Sequence, residues 1–185
     1  MFHLAPLRLL LPAAVLLLSA CSSPGVTHYR DRTPALIPEQ FFSGPLTAHG
    51  IVKNRSGEVT RTFNATIQGR WQNGRGALAE HFVFNDGETQ ERTWHLIPNG
   101  IDPETGAKTY TARAGDVIGD GRVRVAGNAM FIRYTLEVPY NGRSIRVAVD
   151  DRMYLVSDRV LLNQSKLSKW GIDVGEIVLT IIRGD

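Results

Sequence analysis

The sequence holds a single cysteine, Cys21, in 185 residues. A disulfide framework is therefore excluded, and the fold must rest on an apolar core. No apolar run reaches the ~20 residues that a membrane-spanning helix needs. The longest, residues 9–18, is about half that length and has Pro12 inside it. There is no excess of one charge: 21 basic residues stand against 18 acidic ones, for a net charge of +3, and no long basic block occurs. That excludes the usual electrostatic footprint of a nucleic-acid-binding protein. The chain also lacks a Gly-x-Ser-x-Gly elbow, a P-loop and a dinucleotide fingerprint. The glycine-rich stretch at residues 115–121 has the wrong spacing for phosphate, and no helix signal follows it. His28, His49, His81 and His95 have no histidine partner at helical spacing. Neither a metal nor another cofactor is expected, and the weight of these absences is against an enzyme.

What is present begins at the N-terminus. One cation, Arg8, precedes the apolar run, and two small residues, Ser19 and Ala20, precede Cys21. This is the layout of a secretory signal peptide over residues 1–20. Leu18-Ser19-Ala20-Cys21 resembles the bacterial lipobox. The resemblance implies a diacylglyceryl thioether and an acylated amino group on Cys21, hence a membrane as partner. One acyl chain anchors only marginally, whereas several anchor durably. Ser22 rather than Asp resembles the sorting signal for the outer membrane, facing the periplasm, in place of the inner membrane. Residues 21–38 then read as the lipidated cysteine and a flexible tether, which would lift the domain on the order of 20–30 Å off the lipid. Residues 39–185 form a single domain.

Pro38 sets up one helical turn that brings Phe41 and Phe42 to the core. Beyond Gly44 the apolar period is two. Phe63, Ala65, Ile67 and Trp71 alternate with Thr62, Asn64, Thr66 and Arg70, the pattern of a half-buried strand. Turn signals recur at Ser56-Gly57, Asn73-Gly74, residues 85–87, Asn99-Gly100, Asp120-Gly121, Asn141-Gly142 and Ser157-Asp158. Strands in series joined by tight turns predict an all-β, antiparallel up-and-down barrel of eight to nine strands. A further helical turn is expected over residues 165–170.

Two hairpins can be registered. A two-residue turn at Asn141-Gly142 pairs Val138 with Ile145, Leu136 with Val147, Tyr134 with Val149 and Ile132 with Asp151. The last pairing puts a carboxylate on the apolar face. A loop at residues 85–87 pairs Phe84 with Glu88, Leu78 with Trp94 and Glu80 with Arg92, an ion pair on a face otherwise made of Leu78, Phe82 and Trp94. Strand parity adds Asp116, Asn128 and Tyr134. Glu80, Arg92, Trp94, Asp116, Asn128, Tyr134 and Asp151 are thus the candidate interior set. Two readings stay open: a self-satisfied network that fixes register, or an apolar cavity with a few convergent polar groups, the form of a small-ligand site. Catalysis by Glu80, Asp116 or Asp151 is the weaker third, because a carboxylate paired with Arg92 is held ionised.

The landmarks Phe42-x-Gly44, Leu78-x-Glu80-x-Phe82, Asp86-Gly87, Arg92-x-Trp94, Asp116-Val117-x-Gly119, Gly127-Asn128-Ala129, Asp150-Asp151-x-Met153 and Asn163 resemble those of the bacterial lipoprotein family known only as domain of unknown function 3833. The resemblance implies a lipocalin-like barrel and brings no activity with it. Where that family often has Trp after the double Asp, this chain has Arg152. The expected function is a lipoprotein that binds a lipid or fatty-acid-like ligand, its polar end met by Arg92, Asn128, Tyr134 or Trp94. The alternative is a structural or interaction lipoprotein whose core is filled.

Overall fold

The computed structural model describes residues 23–140 and 142–184, so the expected signal peptide, Cys21 and the Asn141 of one expected turn lie outside the described residues. Among the described residues ten antiparallel strands close into one barrel. They are β1 (Gly44–Asn54), β2 (Val59–Gln72), β3 (Arg75–Phe84), β4 (Thr89–Ile101), β5 (Lys108–Arg113), β6 (Val117–Ala126), β7 (Ala129–Tyr140), β8 (Arg143–Ser157), β9 (Val160–Lys169) and β10 (Ile172–Arg183). Each pairs with its neighbours in sequence, and β10 returns to β1, so the sheet has no free edge.

Both registered hairpins form as expected, with Ile132 opposite Asp151 and Glu80 opposite Arg92. The strand count does not match: there are ten, not eight or nine. Two expected turns are irregularities within strands. Asn99-Gly100 is a bulge in β4, with Gly100 at φ 94°, and Asp120-Gly121 lies in β6 where its register against β7 shifts. The chain instead reverses at residues 102–107, 114–116, 127–128 and 170–171. The first of these is built by Asp102, whose carboxylate accepts the N–H groups of Glu104 and Thr105 at 3.0 and 3.1 Å. Residues 165–170 form no helical turn: β9 runs on to Lys169, and Trp170-Gly171 reverses the chain at φ 53° and 78°.

The two ends of the barrel differ. One is plugged by α1 (Pro38–Phe41) and the following Phe42, whose rings are 3% and 2% exposed at Phe41 and Phe42. Trp71 Nε1 donates to the Phe42 carbonyl at 3.0 Å. Gly69 makes the seat: a Cβ there would lie 1.7 Å from the same carbonyl oxygen. Glu39 of α1 accepts from Tyr110 OH at 2.7 Å and Lys108 Nζ at 2.6 Å, tying the plug to β5. The most deeply buried side chains, among them Tyr110, Leu96, Met130 and Leu161, belong to this end. At the other end the inward-facing Val52, Phe84, Val138, Leu167 and Ile177 are only half-buried, which leaves a mouth.

Residues 23–37 are no flexible tether. A 3₁₀ turn, Val26–Tyr29, lies on the outer wall over β6 and β7. Val26 is buried with Ala107, Ala129 and Phe131 in a second, smaller apolar cluster that Tyr29 and Tyr154 flank. Leu36 N–H donates to the Gly127 carbonyl at 2.8 Å, and the Leu36 side chain joins the main core. Val26 and Leu36 show no period and look like loop in the sequence, yet each meets a separate apolar cluster. The main core runs from Leu36 to Ile181, so the chain from Ser23 onward carries a complete barrel.

Candidate ligand cavity

The interior faces of the strands enclose a cavity of about 300 Å³, floored by Phe42 and open toward the mouth. One wall is aromatic. Phe63 meets Phe82 edge-on at 5.6 Å, Phe82 stacks on Phe84 at 6.3 Å, and Trp94 meets Tyr134 edge-on at 5.1 Å. Six of the seven residues expected in the interior line it: Glu80, Arg92, Trp94, Asp116, Tyr134 and Asp151. Asn128 does not. It stands in the β6–β7 turn, where Nδ2 donates to the Leu155 carbonyl at 3.1 Å and Oδ1 is buried without a partner. Asn128 belongs to the turn and not to β7, the strand whose alternation carries Met130 and Ile132. Asp116 reaches the cavity from the β5–β6 turn rather than from a strand.

Arg92, on β4, is the hub of the polar set. Its Nε donates to Glu80 Oε2 at 2.9 Å and its Nη1 to Asp116 Oδ2 at 3.4 Å. The guanidinium also sits 5.2 Å from the Trp94 ring centroid and 5.5 Å from that of Phe82. Burial alone would lower its pKa; the fields of Glu80, Tyr134 and Asp116 and the hydrogen bond to Glu80 together outweigh burial and raise it, so Arg92 is a permanent cation. Burial pushes Glu80 above the usual carboxylate range even though Arg92 pulls the other way. The second polar group is built on Asp151, which is 7% exposed. Its Oδ1 accepts from Ser165 Oγ at 2.9 Å and from Asn163 Nδ2. Burial raises the Asp151 pKa against these two neutral donors. Tyr134 lies in the field of both groups, and burial raises its phenol pKa.

Sequence reasoning missed two members. Asn163 and Ser165 both line the cavity and both bind Asp151. The available signal was parity in β9, where Leu161, Asn163, Ser165 and Leu167 alternate with Leu162, Gln164, Lys166 and Ser168. Leucines on both faces hid that period. Arg61 is a third miss. It stands at the mouth 3.7 Å over the Phe84 ring and donates to Asp86 at 2.8 Å and Glu88 at 3.0 Å.

Chemically, the site is an apolar pocket with two hydrogen-bonded polar groups. Its serine touches a carboxylate with no histidine between them, and among the described residues no histidine lines the cavity. A closed antiparallel barrel, plugged by a short helix and carrying a polar cluster in an apolar cavity, defines a lipocalin-like β-barrel protein. The chain belongs to the family described as protein of unknown function (DUF3833), whose sequence profile matches residues 15–183. Among solved structures it is similar to the S-type phycobiliprotein lyase CPES from Guillardia theta, with a TM-score of 0.58 and 12% identity over 88% of this chain and 99% of that one. At that identity the likeness is one of fold. A looser match, EF1p2_mFAP2b bound to DFHBI, has a TM-score of 0.41 and 11% identity over 78% of this chain and 95% of that one, and carries no inference. No curated protein matches the sequence.

Proposed function

We propose that this protein is a membrane-anchored binding module whose barrel holds a small apolar or amphiphilic ligand, such as a lipid. The observation that carries the reading is the cavity: about 300 Å³, plugged at one end, with aromatic walls and two polar groups on opposite sides. That volume lies at the lower end of the range for small-molecule sites, and the mix of apolar wall and few polar groups is their usual form. A structural lipoprotein with a filled core has no use for such a space.

The anchor is Cys21, acylated after removal of residues 1–20, in the outer membrane with the barrel in the periplasm. The support is the residue pattern before Cys21 and the Ser after it. The packed strap sharpens this part of the proposal. The Pro24 carbonyl already accepts from Arg152 Nη1 at 3.4 Å, three residues after Cys21. The barrel wall around β7 and β8 would therefore sit close against the lipid surface instead of riding on a long leash.

The test is native mass spectrometry on the chain from Ser23 onward, purified from envelope extract under mild conditions, followed by solvent extraction. The expected result is a stoichiometric apolar or amphiphilic molecule. A bare protein mass that persists after incubation with envelope lipids would overturn the reading.

A further inference from the structure

The polar groups of the cavity are unevenly matched. Two cations line it, Arg92 and Arg61, and each is already engaged by two carboxylates: Arg92 by Glu80 and Asp116, Arg61 by Asp86 and Glu88. Both guanidinium charges are thus already matched by carboxylates, although Arg61 Nε is buried without a hydrogen-bond partner. The carboxylates are in surplus. Among the described residues Asp151 has no cation within salt-bridge distance, and both hydrogen bonds to it come from the neutral Asn163 and Ser165 and fall on Oδ1. Asp116 Oδ1 is buried with no hydrogen-bond partner at all. An unmet acceptor in such a place is unfavourable because its lost hydration is not replaced. Counted as charges, the cavity lining thus holds more carboxylate than guanidinium: Glu80, Asp116, Glu137 and Asp151 against Arg61 and Arg92.

We propose that the cavity selects its ligand by the polar end, taking an apolar chain that terminates in an amine, amide or hydroxyl and rejecting one that terminates in a carboxylate or phosphate. The inference rests on the binding-module reading above. It reverses the expectation that Arg92 receives an anionic headgroup. To bind there, a fatty-acid carboxylate would have to displace Glu80 or Asp116 from the guanidinium and leave that carboxylate buried and unpaired. An ammonium or hydroxyl group beside Asp151 displaces no carboxylate from a cation and supplies Asp151 with a further donor.

Three probes of equal chain length separate the cases: octylamine, octanol and octanoate, titrated by calorimetry at neutral pH into the chain from Ser23 onward. The expected order of affinity is octylamine, octanol, octanoate, with at least about tenfold between the first and the last, the size of one charge-assisted hydrogen bond. Asp151→Asn, which keeps the side-chain shape, is expected to weaken octylamine about tenfold and to leave octanol within about threefold. The ranking on the unaltered protein needs no variant and stands as the test if that substitution impairs folding. Octanoate binding as tightly as octylamine, or all three binding equally, overturns the charge rule and leaves the binding module standing. No binding of any of the three, with no ligand found by native mass spectrometry, overturns both.

Discussion

Arg92 touches two carboxylates and two aromatic rings from a position only 19% exposed, so its removal differs in kind from loss of a surface arginine. Arg92→Met would leave Glu80, 12% exposed, without its cation. The expected cost is about 3–5 kcal/mol, read as a fall in the urea midpoint. Adding Glu80→Gln should return part of that loss, because no unpaired carboxylate then remains. Strict additivity of the two substitutions would show that the pair is not coupled. Asp151 makes the opposite kind of prediction. Its folded-state pKa is raised by burial, so its contribution to stability is full below the unfolded-state value of about 4 and is lost as pH rises through the folded-state value. The stability of the native protein relative to Asp151→Asn should therefore fall as pH rises from about 4 toward neutrality, measured as urea midpoints across that range. A difference that grows with pH would contradict the raised pKa. At this scale Asp151 and Glu80 were legible because a charged residue interrupts an apolar face of known register. Asn128 was misplaced because strand parity was carried past the end of β7 into a turn.

The elements that close the barrel off are short and lie outside any periodic pattern. The strap over residues 23–37 depends on Gly127, where a Cβ would stand 1.8 Å from the Tyr29 carbonyl oxygen and where φ is 53°. Gly127→Ala should lift the strap while the ten strands keep their pairing. Trypsin would then cut after Arg30 and Arg32 several-fold faster, with far-UV circular dichroism unchanged. Unchanged cleavage would mean that the strap is held by Leu36 and Val26 alone. The hairpins of β3–β4 and β7–β8 could be registered in advance because the turn residues and the apolar alternation agree there. The reversals at residues 114–116 and 127–128 carry no Asn-Gly or Asp-Gly pair; Asn99-Gly100 serves as a bulge at positive φ, and Asp120-Gly121 follows Gly119, at φ 71°, where β6 shifts register.

As a whole molecule, the barrel combines a packed end and an open end, and a ligand in the open half should stabilise it. Any of the binding probes at about a hundredfold over its dissociation constant should raise stability by about 2.7 kcal/mol, seen as a higher melting temperature. For the full chain in cells, Cys21→Ser is expected to move the protein out of the membrane fraction on fractionation. Retention in the pellet would point to a second means of attachment.

The sequence by itself determined the all-β class, the antiparallel serial topology, two registers and the interior position of the Glu80–Arg92 pair and Asp151. These follow from a period of two and from turn chemistry, both local properties of the chain. The tertiary structure alone decided the closure of β10 onto β1, the plug on Gly69, the docking of the strap and the pairing of Arg92 with Asp116. It alone joined Asn163 and Ser165 to Asp151 and brought more carboxylate than guanidinium charge to the cavity. Each of these depends on which distant segments meet when the sheet curls shut, and a periodic pattern carries no record of that.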